Sequence, residues 1–440
     1  MENEKENKST IEVGHYLVVQ RQGYTKLHKL KAHSKLILGS FNIEMDNVIG
    51  ESYHDTFQMK NMPGNKRFYT LEKVEHTNSA AEGVTIETSG ADNRHIPNNA
   101  ESQSLTKEDI DKLKDKELNS NNIVEHLISN SKTFNMKTGY SQEKYIRKKE
   151  RKYFEYIQIK RPSIRILAQM FYRQDPTKTL GIRIDDLSQI LSYANIHPEG
   201  NHLLYDSGTS GLMPAAITSS IGFKTKGHLI HMHPGNECQK NAFMAMQFPS
   251  EQAQRCINVN LYSVLRCFYQ SKDSYITACD NEETSNKDIK TCENVMAVDE
   301  DSATNESEEK QSDDVGEPSS KKPKLDQTDT KKFWQLDNER ACRILESKVD
   351  TLIITAKEHP VNIVKELLPF LNGGRSFVVF SLLKEPLQDL YFYLKSRVDI
   401  VNIRLLNSFM RNYQVLPNRT HPEVNMNTGG YILTGFKLKF

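Results

Sequence analysis

The stretch LLYDSGTSGL (203–212) decides how the chain is read. An apolar run ends in an acid, a glycine follows, then small residues, then the start of a helix. A nucleoside-binding loop opens this way in an α/β domain. Its glycines adopt backbone angles closed to other residues and let a ligand touch the main chain. An S-adenosylmethionine loop follows acid-x-Gly-x-Gly-x-Gly. Asp206 and Gly208 keep that pattern, Ser210 and Leu212 break it, and Gly211 is out of register. A leucine at 212 is expected to fill space that the ligand or the turn requires, so the corner reads as a degenerate pocket with no cofactor of its own.

Two neighbouring positions agree. The end of a second strand usually offers a carboxylate to the ribose hydroxyls. Here HLIHMHPGNE carries Met232 and His233 at that point, and Glu237 comes several residues late. Amino-methylating enzymes of this architecture carry an acid and a proline just after the fourth strand. VDTLIITAKEHP places Thr355 and Lys357 there, and a threonine cannot act as a carboxylate. Lys357 instead adds a positive charge beside the former catalytic corner, where a nucleic acid could lie. No GxSxG is present. His228, His231 and His233 lack an acid or cysteine at ligand spacing, so polar packing or RNA contact is favoured over a metal.

Outward from this corner, from about residue 161, β-branched strands alternate with amphipathic helices. RPSIRILAQMFYRQ and DDLSQILSYANI read as helices before strand HLLYDSG, LMPAAITSSIG as a helix between it and strand GHLIHMHP, and NECQKNAFMAM as a helix after. The rhythm resumes at Lys331 with a helix, VDTLIITA, a helix VNIVKELLPFLNGG with a glycine stop, RSFVVFSLL and EPLQDLYFYLKSR. IVNIRLLNSFM and YILTGFKLKF read as a terminal antiparallel pair. This is the pattern of a doubly wound, mostly parallel α/β sheet. Residues 1–75 read as a small β domain of short strands. Residues 76–103 form a polar linker, and 104–160 a helical and basic connector before the α/β domain of 161–440.

The net charge of +1 hides segregation: an acidic insert at 274–330 interrupts the α/β rhythm, and the rest is basic. The charged N-terminus gives no signal-peptide pattern. No apolar run reaches the ~20 residues of a membrane span. Six cysteines without a CxxC fit the reduced thiols of an intracellular protein. In the insert, SSKKPKLD (319–326) matches a nuclear localisation signal. The densest cationic stretch is YSQEKYIRKKERKY (140–153), with Lys144, Arg147, Lys148, Lys149, Arg151 and Lys152 between Tyr145 and Tyr153. On a helix such density wraps more than one face. Contacts to phosphates account for it better than pairing with acids.

Three segments together resemble the non-catalytic subunits of the eukaryotic tRNA (adenine-58-N1)-methyltransferase. They are SKTFNMKTGYSQEKYIRKKERKY (131–153), RNYQVLPNRTHPEVNMNTGGYILTGFK (411–437) and the β-rich start. In the catalytic paralogues a His-Thr-Gly-Tyr ending is usual, and Asn427 stands at the histidine position. The resemblance implies an N-terminal β-barrel joined to a degenerate Rossmann-like methyltransferase domain. It implies a heterotetramer with two copies of each subunit, in which the partner binds S-adenosylmethionine and this chain binds tRNA; SSKKPKLD points to the nucleus. It also implies tRNA contacts along Lys144–Tyr153, at Arg173, Lys178 and Arg183 in RQDPTKTLGIR, and at Arg419. The competing reading is an active S-adenosylmethionine-dependent RNA methyltransferase with a divergent loop.

Overall fold

The structure is a computed structural model. It describes residues 10–21, 23–62, 65–74, 90, 103–106, 108–110, 120–153, 156–270, 332–416, 419–423 and 429–439. The acidic insert, SSKKPKLD, Asn427 and most of the 76–103 linker lie outside these residues.

Seven strands form the N-terminal sheet: β1 Tyr16–Arg21, β2 Tyr24–Lys29, β3 Lys35–Leu38, β4 Phe41–Glu44, β5 Thr56–Met62, β6 Asn65–Val74 and β7 Tyr156–Lys160, in the order β2-β1-β7-β5-β6-β4-β3. Short alternating runs build it. In β7, Ile157 and Ile159 are fully buried beside Leu17 and Val19, while Tyr156 and Gln158 face outward. The sheet curls until its edges approach, and Lys26 of β2 donates to the Ile37 carbonyl of β3 at 2.7 Å. One boundary differs from the expectation drawn from the sequence. Residues 156–160 do not belong to the connector: β7 pairs with both β1 and β5 and joins the two halves of this sheet.

The second sheet contains β8 Asn201–Asp206, β9 His228–His233, β10 Cys256–Asn260, β11 Val349–Thr355, β12 Leu371–Ser381, β13 Ile400–Asn407 and β16 Tyr431–Lys437. Its order is β10-β9-β8-β11-β12-β16-β13, parallel except for β16, which runs antiparallel between β12 and β13. A hairpin of β14 Tyr413–Leu416 and β15 Arg419–Pro422 stands between β13 and β16. This is a Rossmann-like mixed α/β domain. Strand periodicity sends alternate side chains to opposite faces. Leu203, Tyr205, Leu352 and Ile354 enter one core, covered by helices Leu261–Gln270, Phe333–Glu346, Pro360–Leu367 and Glu385–Lys395. Leu204, Ile353, Val378 and Ile432 enter the other, covered by Ile164–Gln174, Ile184–Ala194 and Leu212–Ile221. Val18 of β1 turns away from its own sheet into this second core and joins the two sheets.

Two local expectations are corrected. The helix expected over NECQKNAFMAM spans only Asn241–Ala245. Residues 237–240 stay outside the helix because they cross the 206–212 corner, where Gln239 bonds to Ser210. The Gly373–Gly374 pair does not stop a helix. The helix ends at Leu367 and both glycines belong to β12.

Candidate functional site

Asp206 ends β8 at the centre of the sheet and is 5% exposed. Its carboxylate accepts from the Gly208 amide at 2.9 Å, the Thr209 amide at 3.0 Å and the Thr209 hydroxyl at 2.5 Å. The acid therefore caps its own turn. Thr355, at the end of β11, is fully buried, and its hydroxyl donates toward the Tyr205 carbonyl at 3.4 Å. The Ser207 amide donates to the Thr355 carbonyl at 3.1 Å, and the Lys357 amide to the Ser207 hydroxyl at 2.7 Å. These bonds tie the first and fourth strand ends directly together.

The degenerate positions are fixed from outside the loop. Ser210 adopts φ 55°, a left-handed value uncommon for a residue with a side chain. Its amide donates to Gln239 Oε1 at 2.7 Å, and its hydroxyl to the Lys178 carbonyl at 2.8 Å. Leu212 does not enter a ligand volume. It is fully buried in the core beneath helix Leu212–Ile221. The space above Gly208 is held instead by Lys357, whose Nζ lies 3.5 Å from where a β-carbon on Gly208 would stand, and by Gln239 Nε2 at 3.8 Å. At the end of β9, His231 is 2% exposed and shares Nδ1 with Asn258 Oδ1 at 2.8 Å, while Nε2 lies 3.9 Å from Asp206. Burial lowers the pKa of His231 and sets that of His233 to about 4, so both are neutral packing groups near neutral pH. No cluster of metal-ligating side chains occurs among the described residues.

The basic run forms the helix Gly139–Tyr153. It docks by one narrow stripe. Ile146 is buried, Gln142 is fully buried, and its amide donates to the Phe134 carbonyl at 3.0 Å. Lys144, Arg147 and Lys148 are exposed on the rest of the circumference. Tyr145 turns inward. Its ring meets Phe134 edge-on at 5.6 Å, its hydroxyl donates to the Leu127 carbonyl at 3.4 Å, and Lys137 and Lys149 lie over its face at 4.8 and 5.2 Å. The side chains of Arg151, Lys152, Tyr153 and Arg419 lie outside the described residues.

Lys178 and Lys357 are exposed; the backbone carbonyl of Lys178 and the ammonium of Lys357 both reach the corner, and Arg173 is exposed at the end of the helix that precedes Lys178. Arg183 departs from the sequence expectation of a surface contact. It is 3% exposed, bonds both oxygens of Asp185 at 2.9 and 2.5 Å, and donates to the Ser408 carbonyl at 3.3 Å. Its partners lie two and 225 residues away, and only the first is visible in the local sequence. The β14–β15 hairpin was not expected either. Its His421 packs its ring 5.4 Å from Tyr140 on the basic helix. That contact joins two of the three segments that carry the family resemblance.

The Gcd10p family model matches residues 10–331. The chain belongs to the Gcd10p family. It is 32% identical to the tRNA (adenine(58)-N(1))-methyltransferase non-catalytic subunit of Mus musculus, covering 97% of this chain and 88% of the mouse protein. It is 29% identical to the equivalent Dictyostelium discoideum subunit, covering 93% of this chain and 75% of that one. Among solved structures, tRNA (m1A58) methyltransferase TrmI from Aquifex aeolicus aligns over 98% of this chain and 100% of its own at 11% identity and a TM-score of 0.42.

Proposed function

We propose that this chain is the catalytically silent, tRNA-holding subunit of a tRNA (adenine-58-N1)-methyltransferase, assembled two-and-two with a catalytic paralogue. One observation carries the proposal: the carboxylate that would open the cofactor loop closes it instead, bonded three times within its own turn. The remaining residues do not fit S-adenosylmethionine. The second strand ends in Met232 and His233, the fourth in Thr355, and Lys357 with Gln239 covers Gly208. No step of the transfer is assigned to this chain; the partner binds the cofactor. The name carried by the relatives, non-catalytic subunit, agrees with this reading and not with an active enzyme bearing a divergent loop.

The positive work is electrostatic. Methylating N1 within a folded tRNA requires exposing a base and holding a large polyanion in one register. Lys144, Arg147 and Lys148 supply an exposed cationic surface, extended by Arg173, Lys178 and Lys357. We assign the terminal pair β13 and β16 to the subunit interface, the curled N-terminal sheet to a closed barrel, and SSKKPKLD to nuclear import.

The test is a salt series on the assembled complex. Replacing Lys144, Arg147 and Lys148 by glutamine is expected to lower tRNA affinity and to reduce the slope of log K against log salt by roughly 0.7–0.9 for each phosphate left without its cation. An unchanged slope would remove this helix from the tRNA surface. Methyl transfer is expected only when the chain is mixed with its paralogue; turnover by the chain alone would overturn the silent-subunit reading.

A further inference from the structure

A cavity of about 740 Å³ opens at the ends of β12 and β13, bounded by Arg183, Lys384, Ser408, Phe409, Arg411 and Glu423 among others. Its floor is fixed by two contacts. Buried Arg183 holds the Ser408 carbonyl, and the Asn407 side-chain carboxamide donates to the Gly430 carbonyl at 3.2 Å. Position 429 has to be glycine, since a β-carbon there would stand 2.5 Å from the Ser408 oxygen and 2.7 Å from Arg183 Nη2. One wall is the foot of the β14–β15 hairpin, closed by the Glu423 amide donating to the Asn412 carbonyl at 2.8 Å. At the mouth Phe409 is 80% exposed, with the Arg411 guanidinium 5.4 Å from its ring centre.

We propose that this cavity receives one unstacked nucleotide of the bound tRNA, its base stacked on Phe409 and its phosphate held by Arg411 and Lys384. The inference rests on the tRNA-holding reading above. Three observations support it. The volume falls within the roughly 300–1,000 Å³ of small-molecule sites, enough for one nucleotide. An aromatic face beside a guanidinium, with the carboxamides of Asn407 and Asn412 in the lining, is the chemistry that recognises splayed single-stranded bases. The wall is also continuous with the cationic helix. Pro422 lines the cavity and the adjacent His421 packs on Tyr140, so a backbone lying along Lys144–Lys148 is led to the opening. Leu382, Leu383 and Met410 give the rim an apolar side. A protein segment is the competing occupant, but a concave lining that mixes cations, carboxamides and the carboxylates of Glu385 and Glu423, which can accept from base amino groups, suits a nucleotide better than an apolar side chain.

The experiment uses the complex assembled with its catalytic partner, and unmodified tRNA as probe. Phe409→Ala is expected to weaken binding roughly 5- to 150-fold, the effect of removing one base stack, without changing the salt slope, because no charge is removed. Phe409→Trp is expected to retain affinity, and Arg411→Gln to lower the slope by about one unit. The exposure of Phe409 makes its replacement neutral to folding, checked by an unchanged thermal transition. Wild-type affinity in Phe409→Ala, alongside weakened binding in the Lys144, Arg147 and Lys148 variant, overturns the cavity proposal and leaves the tRNA reading standing. Wild-type affinity in both removes both. Loss of co-purification with the catalytic subunit on Phe409→Ala also overturns the proposal, because the rim is then a protein interface.

Discussion

At the ends of β8 and β11 the chain closes upon itself, whereas at the ends of β12 and β13, in the same sheet, it leaves an open cavity. Both places lie at carboxyl ends of parallel strands, where α/β domains usually place ligands. At the first, Asp206, Thr355, Ser207 and Lys357 satisfy one another across two strands. At the second, buried Arg183 holds the Ser408 carbonyl and Gly429 passes close against both, which fixes the floor of the opening. One pair of strand ends is thus tied together by a few short hydrogen bonds while the opening beside it in the same sheet is preserved.

The largest expected effect strikes the open side. Arg183→Ala leaves Asp185 and buried Asp186 without their cation, and a loss of about 3–5 kcal/mol is expected in urea unfolding. A loss below about 1 kcal/mol would mean that the ion pairs do not fix the cavity floor. Next comes acid sensitivity, with His233 at the closed end of the sheet and His202 at the opposite end of β8. Burial sets His202 and His233 at about 4 in the folded chain, while unfolded histidines take up protons near 6.5. The unfolded state therefore binds more protons as pH falls, and stability that is complete above about 6.5 is lost toward 4. For His202 alone the loss is on the order of 2–3 kcal/mol between about pH 6.5 and 4.5. A His202→Gln variant whose stability fell as steeply would place the sensitivity elsewhere. The smallest effect distinguishes structure from chemistry at the corner. Asp206→Ala strands the amides of Gly208 and Thr209 and is expected to cost about 1–3 kcal/mol. Methyl transfer by the assembled complex should stay within about twofold of wild type. A collapse of rate at conserved stability would erase the contrast between the two places.

Much of this architecture was legible because parallel strands buried on both faces read as apolar runs, as in VDTLIIT and LLYD. The missing glycines at 210 and 212 pointed correctly to an altered corner but not to its mechanism. The closing groups, Gln239 and Lys357, come from distant turns, and Leu212 belongs to the core. Strand β7 was hidden because YIQIK is five residues long and adjoins the cationic run, so its period of two was outweighed by charge. Arg183 misled for a related reason. A cation flanked by acids looks solvated until the carbonyl of Ser408 is folded onto it.

The insertion of β7 has a consequence for biosynthesis. Without it, β2-β1 and β5-β6-β4-β3 are separate ribbons, since β1 and β5 meet only through that strand. Residues 75–155 must leave the ribosome before the seam can be sewn, a delay of several seconds at ~5–20 residues per second. Through that interval the facing edges of both ribbons stand open to other nascent chains. A chaperone that shields strand edges would be needed most while residues 75–155 of this polypeptide are being made.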